Sequence, residues 1–184
     1  PGRYALTEAA KNVFDVAITN GKGQALQAAR PNLHQWDVSG HDGTVTVRYK
    51  IFGDRTDGTY LGIDSAHAHI NMPAAVMWAR GWFNRPARVT FAPPTGKAWK
   101  IATQLYPTQD PLTFTAPNLY YLLDSPTSLG DFVFKPFVVD DGKNGPQTFR
   151  VALLHDGTDA EADAFARDVE KVVREAMTVF GELP

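Results

Sequence analysis

The sequence contains no cysteine among its 184 residues. That absence excludes disulfide bridges, thiolate zinc sites and thiol catalysis. Glutamate is also unevenly placed, because every glutamate is either Glu8 or lies at Glu161 or beyond. The long central part of the chain therefore offers no glutamate as a general base or as a metal ligand.

Long apolar runs and an excess of one charge are absent too. No stretch approaches the roughly 18 consecutive apolar residues that a membrane-spanning helix needs. The 18 Lys and Arg residues nearly balance the 20 Asp and Glu residues, for a net charge of −2. Such a balance lacks the basic surface typical of proteins that bind nucleic acid or anionic membranes. No nucleic-acid partner and no membrane span are expected.

Alternation of apolar and polar residues predicts a mainly β protein. In the clearest strand, 44–52, Val45, Val47, Tyr49 and Ile51 would face one side and polar residues the other. One buried and one solvated face are typical of antiparallel sheets. The other predicted strands are 12–19, 24–30, 33–38, 60–63, 74–80, 88–91, 99–105, 132–139 and 147–155.

Helical signals occur at 118–123 and, much more strongly, near the end of the chain. Thr158 and Glu161 have the spacing of a capping box, and Gly181 is suited to the position just after a helix. Between them, apolar residues recur at helical spacing for about six turns. These apolar positions are Ala162, Phe165, Ala166, Val169, Val172, Val173, Ala176 and Phe180. The expected i,i+4 ion pairs are Asp163–Arg167 and Glu170–Arg174.

The predicted fold is an antiparallel β-sandwich or curved sheet with a short helix and a long C-terminal α-helix. Residues 1–157 form the β-rich domain in this interpretation. Residues 158–184 form the terminal helix, which leads toward a further domain.

His67-Ala68-His69 is the most suggestive local pattern for chemistry. In an extended segment both imidazoles would lie on one face, as in His-x-His metal sites, and Asp64 could act as a third ligand. The alternative, which we favour, is that His67, His69 and Asn71 hydrogen-bond backbone groups of an irregular loop.

A second cluster surrounds Gly81. Trp78, Arg80, Trp82 and Phe83 could form an exposed patch for a partner or peptide. The alternative, which we favour, is that the aromatic residues fill the core and Arg80 lies at the surface. The sequence contains no H-E-x-x-H zinc motif, no G-x-S-x-G elbow, no G-x-G-x-x-G and no P-loop.

Three long strings resemble one known family. They are FGDRTDGTYLGIDSAHAHINMPAAVMWARGW (52–82), WKIATQLYPTQDPLTFTAPNLYYLLDSP (99–126) and FRVALLHDGTDAEADAFARDVEKVVREAMTVFGELP (149–184). Together they resemble the N-terminal domain of the glycyl-aminopeptidase-like zinc metallopeptidases, over essentially the whole chain.

The resemblance implies a thermolysin-like catalytic domain with H-E-x-x-H and zinc downstream of this β-rich domain, followed by a PDZ domain. No position of this sequence matches the family's zinc ligands or catalytic glutamate, so no cofactor is expected within these 184 residues. The family's HAH string matches His67 and His69, but the resemblance attaches no catalytic role to it.

The family's N-terminal domain would also have further strands before Pro1. The chain is therefore expected to be a piece of a longer bacterial protein, from the periplasm or the cytoplasm. An exposed sheet edge is expected as well, which would favour a dimer through that edge.

The expected function is that of a non-catalytic domain that packs on a protease domain and limits access of peptide N-termini to its cleft. Asp64 and the residues up to Asn71 are the candidates for the surface that faces the cleft. The alternatives are an independent peptide- or carbohydrate-binding module that uses Trp78 to Phe83, and a small metal site built on His67 and His69.

Overall fold

The computed structural model describes residues 8–55 and 58–183. These residues form a mainly β protein with antiparallel strand pairs, a short helix and a long C-terminal helix, which confirms the predicted fold class. The strands are β1 Val13–Asn20, β2 Ala28–Ala29, β3 Asp37–Val38, β4 Val45–Ile51, β5 Leu61–Ile63, β6 His67–Ile70, β7 Ala87–Thr90, β8 Lys100–Ala102, β9 Tyr106–Pro107, β10 Thr113–Ala116, β11 Thr127–Gly130, β12 Val133–Asp140 and β13 Pro146–Leu153; the helices are α1 Met72–Ala75, α2 Leu119–Leu123 and α3 Asp159–Phe180, after a 3₁₀ turn at Ala9–Asn12.

The chain divides into two compact units. The first contains the described residues up to 92 together with 103–128, and the second contains 93–102 and 129–183. Whether 1–157 and 158–184 act as separate parts of a longer protein stays a prediction. None of the helices within 8–55 and 58–183 is both long enough and apolar enough to cross a membrane.

The first unit is built from short antiparallel pairs: β1 with β4, β2 with β3, β5 with β6, and β7 with β10, which also pairs with β9. Its best-buried side chains include Leu61, Met72 and Leu105. Tyr60, Leu61 and Ala74 form one apolar cluster, against which Ile51 and Ile70 pack. The start of β5 and the helical turn after β6 therefore share a core.

The second unit combines the β12–β13 hairpin with α3. The hairpin is paired without a break from Val133–Leu153 to Asp140–Pro146. Helix α3 begins at a complete capping box between Thr158 and Glu161 and ends at Gly181, whose φ of +78° only glycine adopts without strain. Both end signals were predicted from the sequence and are confirmed.

An ion pair and a hydrogen bond join α3 to the hairpin and stabilise its polar side. Lys135 Nζ on β12 lies 2.7 Å from Asp163 Oδ1 on the helix, and the helix residue Arg174 donates to the Val138 carbonyl. The predicted pair of Glu170 with Arg174 is present. The predicted pair of Asp163 with Arg167 was wrong, because Asp163 lies over the hairpin and takes its partner from there.

Two strand predictions were also wrong. Residues 74–80 contain no strand: Pro73 lies in the first turn of α1, where its lack of an N–H costs nothing, and irregular chain follows. The segment 24–30 returns along β1 only at its start, where Thr19 and Ala25 form a bridge and Gln24 and Leu26 hydrogen-bond to Asn20 and Ile18. It forms no continuous strand, and the long ladder of β1 is with the distant β4.

The turn between β12 and β13 depends on one carboxylate. The backbone N–H groups of Asn144 and Lys143 donate to Asp141 Oδ1 at 2.8 and 2.9 Å, and the Asn144 side chain donates to Oδ2. These hydrogen bonds favour the charged form and hold the pKa of Asp141 far below its usual range. The ionised carboxylate therefore stabilises the folded hairpin.

We expect Asp141→Asn to lower the urea midpoint at pH 7, because the amide oxygen accepts these bonds without a charge. A lowered folded-state pKa stabilises above the unfolded-state pKa of about 4 and loses its contribution as the pH falls below that value. The difference in urea midpoint between wild type and variant, the pH-dependent gap, should therefore shrink from pH 5 to pH 2. Asp131→Asn, at an exposed carboxylate outside this turn, is the control and should show no such gap. A gap independent of pH would contradict this role.

Candidate functional site

A groove of about 730 Å³ lies within the first unit. The groove is lined by residues of β4, of the irregular segment after α1, of β7 and of α2. Its lining residues are Val47, Tyr49, Val76, Met77, Trp78, Ala79, Trp82, Arg85, Pro86, Ala87, Arg88, Val89, Thr90, Leu119 and Leu122. This volume is typical of ligand-binding clefts.

Tyr49 fixes the wall that follows α1. Its hydroxyl donates to the Ala75 carbonyl at 2.8 Å and accepts from the Met77 N–H at 3.2 Å. The segment from Val76 to Ala79 has no regular structure, so these bonds satisfy backbone groups that a strand or helix would otherwise pair. Strand β4 thereby holds the aromatic segment in place.

The same segment presents aromatic side chains. Trp78 and Trp82 are 50% and 53% exposed, so they do not fill a core. Trp78 contacts Phe83 at a ring-centroid distance of 5.2 Å, and Phe83 stacks on Tyr120 of α2 at 6.0 Å. The Phe83 carbonyl also accepts from the Leu119 N–H, which ties this row of rings to α2.

The charge in the groove is positive. Arg85 lies over the Trp82 ring at 4.4 Å from its centroid, and Arg88 lies on β7. No carboxylate occurs among the described residues that line the groove. Of the predicted patch, Trp78 and Trp82 come together here, whereas Arg80 donates to Gln35 and does not line the groove.

Strand β7 has an open edge toward the groove. Just beyond the ends of the two strands, the Phe91 N–H donates to the Leu112 carbonyl, so Phe91 directs its N–H toward the β10 side of the ladder. Because this direction alternates along an antiparallel strand, Arg88 and Thr90 direct their backbone N–H and C=O away from β10. Within residues 8–55 and 58–183, no strand pairs with that edge.

Strand β4 has an open edge of the same kind. The Ile18 carbonyl accepts from Leu26 and the Asn20 N–H donates to Gln24, so neither residue uses these groups on β4. Their cross-strand partners, Val47 and Val45, therefore direct their backbone groups to the opposite edge. In the described part of the chain, that edge too has no strand partner.

The predicted metal candidates lie elsewhere in the unit, on the β5–β6 hairpin. Asp64 Oδ1 accepts from the N–H groups of Ala66 and His67 at 2.7 and 2.8 Å, and its other oxygen lies 3.2 Å from His67 Nδ1. The hydrogen bonds from the His67 and Ala66 backbone lower the pKa of Asp64. This carboxylate therefore stabilises the turn.

His69 and Asn71 hold the chain before β5. The two ring nitrogens of His69 lie 3.0 Å from Ser128 Oγ and 3.3 Å from the Gly58 carbonyl, and the Asn71 amide donates to the Thr59 carbonyl. The segment forms the regular strand β6 and not the irregular loop that we favoured, and both ring nitrogens of His69 have partners. Within 8–55 and 58–183, no three residues of the His, Asp and Glu types are grouped as a metal site would require.

The chain belongs to the Peptidase M61 N-terminal domain family, whose model matches residues 1–131. The resemblance inferred from the sequence is thereby confirmed. The crystal structure of an aminopeptidase N family protein from Idiomarina loihiensis has a similar fold, with a TM-score of 0.84 and 21% sequence identity. The similarity covers 100% of this chain and 31% of that chain, so the present chain spans about a third of its length. No curated protein matches the chain.

Proposed function

We propose that this domain is the non-catalytic N-terminal part of a zinc metallo-aminopeptidase. It would pack on a downstream peptidase domain and help to limit the cleft to free peptide N-termini. The family match and the length of the similar structure support this proposal. The zinc ion and its ligands belong to the downstream domain in this account, and a PDZ domain would follow it.

The uncovered side of α3 is the observation that carries the proposal. Phe165, Val172 and Val179 recur every seven residues, nearly two helical turns, and therefore lie on one side of the helix. They are 54%, 67% and 77% exposed, although Ala162 on the neighbouring side is buried. We call these three residues the α3 stripe. A large apolar side chain repeated along one exposed line is typical of a surface that another domain covers.

Limiting access is what separates an aminopeptidase from an endopeptidase. A cleft open at both ends would let long chains pass through, whereas a wall beyond the first residue admits only a free N-terminus. The substrate ammonium group also needs a carboxylate partner. Asp64, His67, His69 and Asn71 on the β5–β6 hairpin remain our candidates for the side of this domain that faces the cleft.

The proposal predicts a division of activity between the 184-residue chain and the full product of its gene. The full product should bind zinc and hydrolyse aminoacyl p-nitroanilides, and a chelator should abolish turnover. The 184-residue chain should do neither. Stoichiometric zinc in the 184-residue chain, lost in His67→Ala, would contradict the proposal and support a small metal site instead.

A further inference from the structure

We propose that the groove between β4 and β7 binds an extended peptide segment that carries carboxylate side chains. The inference does not depend on the peptidase assignment, because it rests on the groove alone. Three observations lead to it: two open strand edges, a row of half-exposed aromatic rings, and positive charge without a neighbouring carboxylate.

The open edges define the conformation of the ligand. On β7, Arg88 and Thr90 offer backbone groups to the groove, and on β4, Val47 does the same. Edges of this kind pair with an added strand, which supplies alternating N–H and C=O groups at matching spacing. An extended peptide satisfies them, whereas a helix has no free backbone groups to offer along its length.

The side chains of the groove define the composition of the ligand. Val47, Val76 and Val89 are apolar, so alternate residues of the peptide should be apolar as well. Arg85 and Arg88 present guanidinium groups, which bind carboxylates through charge-assisted, often bidentate hydrogen bonds. No described lining residue carries negative charge, so no carboxylate of the groove competes with an acidic ligand for either guanidinium group.

The test uses the 184-residue chain and a fluorescein-labelled octapeptide of alternating valine and glutamate flanked by threonine. Fluorescence anisotropy should show saturable binding that weakens with salt. The same peptide with lysine in place of glutamate should bind at least about tenfold more weakly, because charge-assisted hydrogen bonds are replaced by repulsion. N-methylation of its valines should also weaken binding, since it removes the donors for strand pairing.

Two substitutions at one position separate charge from strand pairing. Arg88→Gln removes the charge, and Arg88→Pro removes the charge together with the N–H that faces the groove. Proline is tolerated at such an edge position because that N–H has no partner on β10. We expect about a fivefold loss of affinity for Arg88→Gln and a larger loss for Arg88→Pro. The matched control is Arg150→Gln, at an exposed arginine of β13 outside the groove, which should bind like wild type.

Several results would overturn the proposal. Equal binding of the glutamate and lysine peptides would remove the charge argument, and an equal loss in Arg150→Gln would show a nonspecific effect. A dimer in sedimentation that Arg88→Pro converts to monomer would assign the groove to a second copy of the chain. Displacement of the peptide by maltoheptaose would instead indicate a carbohydrate site on the tryptophans.

Discussion

Phe165→Asp with Val172→Asp is expected to leave the 184-residue chain folded but to detach its domain from the peptidase domain in the full gene product. Both side chains belong to the α3 stripe and are more than half exposed in this domain. Aspartate there costs the isolated domain little beyond a lower helix propensity. In the full protein, the same change would place two carboxylates in an apolar contact.

The expected loss follows from the apolar surface that the stripe presents. Full burial of a phenylalanine or valine side chain contributes about 1.5–3 kcal/mol of stabilisation. Somewhat more than half of each side chain is exposed and could be buried by the peptidase domain, so the pair should contribute about 2–3 kcal/mol to the contact between the domains. Burying unpaired carboxylates adds a further penalty. We therefore expect a drop of at least about tenfold in aminopeptidase activity, together with cleavage within longer peptides as the cleft loses its wall.

Ala164→Asp with Thr178→Asp is the matched control. Both positions are exposed on α3 away from the stripe, and both receive the same new residue. The control should retain the activity and the selectivity for free N-termini. Equal behaviour of the two double variants in the full gene product would contradict an interface on the stripe, and unfolding of the 184-residue chain by the stripe variant would show that these side chains stabilise the domain itself.

Gly53→Ala should destabilise the first unit strongly. A β-carbon at position 53 would overlap the Leu61 β-carbon and lie 3.0 Å from the Leu61 carbonyl oxygen. Leu61 is buried and cannot withdraw, because its carbonyl accepts from Arg55 and its side chain lies in the apolar cluster with Tyr60 and Ala74. Overpacking of this kind costs about 3 kcal/mol, which urea unfolding followed by tryptophan fluorescence would measure.

Gly21→Ala provides the comparison. Its added β-carbon would lie 3.2 Å from the Asp42 carboxylate and from the Thr44 β-carbon, so these exposed groups need to shift by only a few tenths of an ångström. We expect a change below about 1 kcal/mol there. A similarly small effect at Gly53 would mean that the chain around 53 and β5 moves apart more easily than its hydrogen bonds indicate.

Elements defined by local signals could be predicted from the sequence. Strand β4 follows from strict alternation, and α3 follows from Thr158, Glu161 and Gly181 at its ends. The β12–β13 hairpin likewise joins two adjacent runs across a polar turn. In each case the residues that decide the structure are close together in the sequence.

Long-range pairing could not be predicted in this way. Strand β1 takes β4 as its partner across a polar stretch that itself looked like a return strand, and β7 pairs with β10 instead of the nearer β8. The choice among open edges depends on side chains that meet only in the folded protein. Residues 74–80 show the same limit, because an apolar run fits a helical turn and a half-exposed loop as well as a strand.

Only some of the residues that line the groove could be predicted from the sequence. Trp78, Arg80 and Trp82 are close together in the sequence, but the favoured prediction that the tryptophans fill the core was wrong, because both are about half exposed. The arginines of the groove are Arg85 and Arg88, whereas Arg80 turns to Gln35. Val47 and Tyr49 come from a strand some thirty residues earlier, and nothing local in β4 indicates that its free edge faces the tryptophans. The spacing of Arg85 three residues after Trp82 is the local sequence signal for their contact.

The coding sequence downstream of the codon for Pro184 tests the central claim most directly. If this chain is the N-terminal domain of a zinc metallo-aminopeptidase, the same open reading frame should continue into a domain that contains H-E-x-x-H on a predicted helix, with a further acidic ligand downstream. A reading frame that stops near Pro184, or continues without that motif, would contradict the account.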